Sequence, residues 1–235
     1  MSNIGLKNSA YLTRKDVAEH FRSGFLSYIE GFPFTRYTVI QGVTKQQLQL
    51  FFHKYDEWIL KETGSSARYN CTYEAPPIFS HPDSFHANIL HWLPTELNKP
   101  FDEKWKVKWL EDQGIRVTDE TFNSDSRFLQ YSQVPNLSNP KLYLKHGLIG
   151  VTRYVCTGAH PAVAAEYGIK NKFEGIIPGK RRMQSESLSK NASYDFSKPE
   201  KQQRFRDSES VCIPDSIPIP DFIKTILHEK ESIHA

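Results

Sequence analysis

The chain has 235 residues, of which 38% are hydrophobic and 24% charged, which excludes a wholly disordered chain and suffices for one domain with a substantial core plus a further segment. Its net charge of +3 does not by itself indicate a nucleic-acid partner; the clustering of basic residues late in the chain carries more information. No apolar run approaches the roughly 18 residues of a membrane-crossing helix, and the first residues lack the apolar block of a secretory signal.

In chain order, Val17, Phe21 and Phe25 recur four apart and predict a helix over 15–28, ended by Gly31 and Pro33. Residues 34–40, rich in β-branched and aromatic side chains, predict a strand. Thr44 with Gln47 forms a capping box, and Leu48, Phe52, Tyr55 and Ile59 then predict a helix that Gly64 stops. Strands are expected over 67–74 and 84–93. The proline-rich loop between them, with Pro76, Pro77 and Pro82, suits an antiparallel return.

Phe101, Trp105 and Trp109 predict another amphipathic helix, with short strands at 115–117 and 128–131. Asn139 and Pro140 open a helix expected to run through Thr157, with Gly158 past its end. A short helix from Pro161 to Gly168 follows, and a small docking helix is expected over 222–227. The stretch 184–210 is Ser, Lys, Glu, Asp and Gln with little apolar content and is expected to be flexible. The reading is an α+β fold: a central antiparallel sheet of about four to five strands with helices packed on it. Residues 1–183 form the domain, with an N-terminal helical extension, and 184–235 a polar tail.

The chemistry concentrates in 84–94. On a strand His86 and Asn88 point the same way, and two short polar side chains on an otherwise apolar strand need partners. Glu74, ending the neighbouring strand, is close enough in this reading to join them. Imidazole, amide oxygen and carboxylate suit Mg²⁺ or Mn²⁺ better than structural zinc. A hydrogen-bonded pair without metal satisfies the same pattern. His91 falls off the parity of His86 and is expected on the opposite face, and His53 and His81 at the surface. Cys71, Cys156 and Cys212 are odd in number and widely spaced. They suggest neither disulfides nor a zinc knuckle, and a reducing cytoplasm is expected. Without secretion, the glycosylation-like triplet Asn191-Ala192-Ser193 carries no weight.

His86-Ala87-Asn88-Ile89-Leu90-His91-Trp92-Leu93-Pro94 resembles the His-Ala-His strand, followed by aliphatics and Pro, of one branch of the HUH endonucleases, with Asn88 for the second His. Arg36-Tyr37-Thr38-Val39-Ile40 resembles that branch's first strand. Thr152-Arg153-Tyr154-Val155-Cys156-Thr157-Gly158 resembles its Lys-Tyr-Val-Thr-Lys-Gly segment, and Gly175-Ile176-Ile177-Pro178-Gly179-Lys180-Arg181 a late Gly-Lys-Arg segment. The resemblance spans roughly 34–189.

It implies metal-dependent nicking and joining of single-stranded or origin DNA, as in plasmid or phage rolling-circle replication. The tyrosine nucleophile leaves a 5′-phosphotyrosine. Tyr154 matches the nucleophile by motif. Tyr143 is the rival, eleven residues earlier on one expected helix, on nearly the same face and about 16 Å along the axis. His86, Asn88 and Glu74 would hold the metal. Arg36, Arg153, Lys180, Arg181 and Arg182 would contact DNA. Two departures, Asn88 for His and Thr157 for Lys, keep a catalytically degenerate DNA-binding protein on the same fold as the alternative.

Overall fold

The computed structural model describes residues 8–75, 85–103 and 143–188. In chain order the elements are β1 (Asn8–Ser9), α1 (Arg14–Ile29), β2 (Arg36–Val43), α2 (Lys45–Thr63), β3 (Tyr69–Glu74) and β4 (Phe85–His91). A 3₁₀ turn (Thr95–Leu97) leads into the short α3 (Asn98–Phe101). Then come a π-helical segment (Tyr143–Leu148) running into α4 (Ile149–Val155), α5 (Pro161–Tyr167), β5 (Ile177–Pro178), β6 (Arg182–Gln184) and a last 3₁₀ turn (Glu186–Leu188).

Local chemistry accounts for the helix limits. Thr13 and Asp16 close a capping box on α1, and Thr44 and Gln47 close the expected one on α2. Gly64 takes the left-handed conformation, φ 72°, that ends α2.

The fold is α+β, as the sequence implies. Its main sheet has four antiparallel strands in the order β2-β4-β3-β6, and β1 and β5 form a small second sheet. The return from β3 to β4 is antiparallel, as expected from its loop. In the register, Glu74 lies opposite His86, and Asn88 lies between Thr72 and Val39. The sheet separates two apolar cores. On one face α2 buries Leu48, Phe52, Tyr55 and Ile59 against Ile40, Cys71, Ala87 and Ile89. On the other, α1 and α4 bury Val17, Phe21, Phe25, Val151 and Val155 against Tyr37, Val39 and Leu90. His86 and Asn88 belong by parity to this second face. His91 belongs to the first, as expected: its ring bonds the Thr38 hydroxyl at 2.9 Å and the Tyr55 hydroxyl at 2.7 Å.

Two expectations change. The helix that carries Tyr143 and Tyr154 is not uniformly α-helical. Six residues of π winding precede α4, and the wider turn shifts the angular phase. Tyr143 and Tyr154 meet different surroundings, the first buried and the second half exposed. Residues 184–188, read as the start of a flexible tail, are folded. Gln184 ends β6 in register with Asn70, and Leu188 is buried in the core with α1. A single leucine in a polar run is too small a signal for composition to register. The expected helix beyond Glu103, the strands at 115–117 and 128–131, the helix over 222–227, His81 and Cys212 lie outside the described residues. No described helix is long and apolar enough to cross a membrane.

Candidate functional site

Between the second face of the sheet and α4 lies a cleft of about 640 Å³. Glu74, His86 and Asn88 line its sheet side, and Arg153 and Tyr154 its helix side. Lys170 and Lys172, from the segment after α5, complete the rim. Tyr154 is 48% exposed and packs edge-on against Tyr37, ring centroids 5.8 Å apart. A hydrogen bond from the Thr72 hydroxyl to the Val155 carbonyl, 2.9 Å, ties the end of α4 to β3 and so sets the height of Tyr154 over the sheet.

The floor is a connected polar network. The buried Tyr37 hydroxyl donates to Asn88 Oδ1 at 2.5 Å, and the Asn88 amide group donates to Glu74 Oε1. His86 Nδ1 stands 3.8 Å from Glu74 Oε2. Behind Glu74 sits Glu174, buried, hydrogen-bonded to Glu74 and accepting from the Thr157 hydroxyl. Two glycines permit close approaches here, the first of them to Glu174 itself. A side chain at Gly158 would run into the Glu174 carboxyl, and one at Gly175, φ +74°, into the Ala75 carbonyl. The glycine expected merely to end the helix before it, Gly158, thus also clears space for a carboxylate.

Burial and the neighbouring Glu74 charge push the Glu174 carboxyl up to about 8. At neutral pH the Glu174 carboxyl therefore keeps its proton. Burial lowers the His86 pKa, opposed by Glu74 and reinforced by Lys172, so its imidazole is neutral and able to ligate. Burial, with the Tyr154 and Glu74 groups nearby, raises Tyr37 well above an ordinary tyrosine, so it remains a hydrogen-bond donor.

The other sequence-derived candidates are not brought to this cleft. Tyr143 is 1% exposed, stacks on Tyr28 and donates to the Phe34 carbonyl at 3.2 Å. Arg36 bonds Asn98 and Asp102 and lies over the Phe101 ring, tying β2 to α3. Arg181 is 2% exposed, and its guanidinium serves the backbone carbonyls of Ser9, Tyr73 and Gly175. Arg182 pairs with Asp16 and Glu19 on α1. Lys180 is exposed away from the cleft lining. The Lys180-Arg181-Arg182 run thus has one residue at the surface and two spent on internal contacts.

Conversely, sequence reading missed Glu174, Lys170 and Lys172. No spacing links position 174 to position 74; only the tertiary fold does. Lys170 and Lys172, just after the helix-ending Gly168, offered only a weak signal of alternating charge.

As a place for a divalent cation, the floor fits in part. His86 and Glu74 converge with a nitrogen and an oxygen donor of the right chemistry. Asn88 presents its NH₂ group to Glu74 and its oxygen to Tyr37, so as oriented it is not a ligand beside Glu74. Among the described residues no group of three His, Cys, Asp or Glu could hold a metal ion. A cation here would take His86 and Glu74 and fill its remaining positions with water or substrate oxygens. Comparison with protein-family models, curated proteins and solved structures finds no match to this chain.

Proposed function

We propose that the cleft is the active site of a metal-dependent enzyme that nicks and joins single-stranded DNA in the manner of the HUH endonucleases, as in plasmid or phage rolling-circle replication. One observation carries the reading. Side chains singled out from separate segments of sequence, Glu74, His86 and Asn88 on one side and Arg153 and Tyr154 on the other, line the same cleft.

In this reaction the Tyr154 hydroxyl oxygen bonds to a backbone phosphorus as the bond to the 3′ oxygen breaks. The phenolic proton ends on that oxygen, leaving a free 3′-hydroxyl and a 5′-phosphotyrosine. A divalent cation held by His86 and Glu74 would supply the Lewis acid that an anionic phosphodiester requires. Arg153, Lys170 and Lys172 bring positive charge to the phosphate. Lys172 donates its backbone N–H to the Thr157 carbonyl at 2.8 Å, so a lysine stands beside the position where the resembling family segment carries one. A reducing cytoplasm belongs to the same proposal; Cys71 and Cys156, both buried free thiols, support it.

The test is strand cleavage. Incubated with Mn²⁺ and a randomised pool of single-stranded DNA, the protein is expected to yield cut strands linked to it by their 5′ ends. Tyr154→Phe is expected to abolish cleavage while DNA binding survives. Cleavage by Tyr154→Phe would remove the assignment.

The orientation of Asn88 favours a second reading, a catalytically degenerate DNA-binding protein. Both ends of its amide are satisfied by Tyr37 and Glu74 without any metal. That reading predicts salt-sensitive binding with no cleavage under any metal, and binding unaffected by His86→Ala.

A further inference from the structure

We infer that the segment from Gly168 to Ile176 is a binding strap for single-stranded DNA, with Lys170 and Lys172 taking backbone phosphates and Phe173 stacking a base beside the cleft. The inference rests on the proposed nicking reaction and names how its strand is held.

The segment is well anchored. Lys172 N–H bonds the Thr157 carbonyl at 2.8 Å, the Asn171 amide bonds the Ala159 carbonyl at 2.5 Å, and Ala75 N–H bonds the Glu174 carbonyl at 2.9 Å. It is thus fixed both to the end of α4 and to the end of β3, the two walls of the cleft. On this fixed backbone, large apolar side chains stand in solvent: Phe173 is 57% exposed and Ile176 59%. The apolar cores described above do not use either.

Phe173 is supported from one side by Tyr11, ring centroids 5.7 Å apart at 65°, and Tyr11 in turn meets the His160 ring. Lys170 and Lys172 are exposed on the same segment and line the cleft. Lys172 is close enough to His86 and Glu174 to perturb both. An exposed ring held edge-on by a neighbour, with cations beside it leading into a cleft, is the combination that single-stranded nucleic acid uses: phosphates neutralised, bases stacked. A duplex keeps its bases stacked on one another and offers none to Phe173.

The test is fluorescence anisotropy of a labelled oligothymidylate titrated with the full chain across a salt series. Phe173→Ala is expected to weaken binding at least about five-fold, near the lower limit of one base–aromatic stack, with an unchanged salt slope. Lys170→Ala and Lys172→Ala are each expected to weaken binding and to reduce the salt slope by about 0.7, the value for one phosphate on a single strand. Phe173→Trp is expected to retain affinity, with emission quenched by the oligonucleotide beyond the change seen in the parent protein. Duplex DNA is expected to be insensitive to Phe173→Ala. Binding by the parent that all three alanine variants leave unchanged overturns the strap while the nicking reading stands. No binding by the parent overturns both.

Discussion

At the scale of single residues, the site turns on Asn88. The same amide that stands where the resembling HUH strand carries a second His bridges the Tyr37 hydroxyl and the Glu74 carboxylate. Asn88→Ala removes the partner those two groups share in a buried place, and is expected to cost about 1–3 kcal/mol of stability by urea unfolding. His86→Ala is expected to cost less stability and to lose Mn²⁺ binding. Equal stability losses for the two variants would place Asn88 outside the network.

Glu174 makes a second residue-scale prediction. Its carboxyl is raised from an ordinary 4.5 to about 8. Between those values the folded protein keeps a proton that the unfolded chain has released, so stability is full below the lower value and falls as pH rises toward the upper one. Glu174→Gln is expected to flatten that decline when unfolding midpoints are followed against pH in the presence of a chelator. A slope identical to the parent's would mean the proton resides elsewhere.

At the scale of elements, much of the frame was legible. The capping box that begins α2 and the apolar spacing of four along α1 and α2 were readable, whereas the Thr13–Asp16 box that begins α1 was not picked out. Strand parity put His86 and Asn88 on one face and His91 on the other, because period two is a property of the backbone alone. What was not legible depends on contacts between distant segments. The π winding before α4 has no compositional mark, and neither does the burial of Tyr143 against the exposure of Tyr154 at the cleft. The basic run at 180–182 looks like a phosphate cradle in sequence. Only the fold shows Arg181 turned inward to three carbonyls and Arg182 engaged with α1. Leu188 likewise gains its meaning from the pocket it fills. Since the Thr72 hydroxyl fastens α4 to the sheet, Thr72→Val is expected to lower stability by about 1 kcal/mol. It should also reduce the proposed cleavage more than DNA binding, because it loosens the helix that carries Tyr154 and leaves the strap intact. Unchanged cleavage would show that α4 is held in place by its apolar contacts alone.

At the scale of the whole molecule, the sheet divides the labour. One face, under α2, is a closed aromatic core. The other is closed by α1 and α4 over most of its area and is left open where Glu74, His86 and Asn88 approach the helix. The strap after α5 borders that opening and adds Lys170 and Lys172 to the Arg153 of α4. The proposed reaction joins Tyr154 covalently to DNA in this cleft. The most direct measurement is to react the protein with single-stranded DNA and Mn²⁺, digest the DNA and the protein, and locate any nucleotide remnant by peptide mass spectrometry. A phosphonucleotide is expected on Tyr154, absent in Tyr154→Phe and in His86→Ala. A remnant on another residue, or DNA bound by the protein with no remnant under any divalent metal, would contradict it.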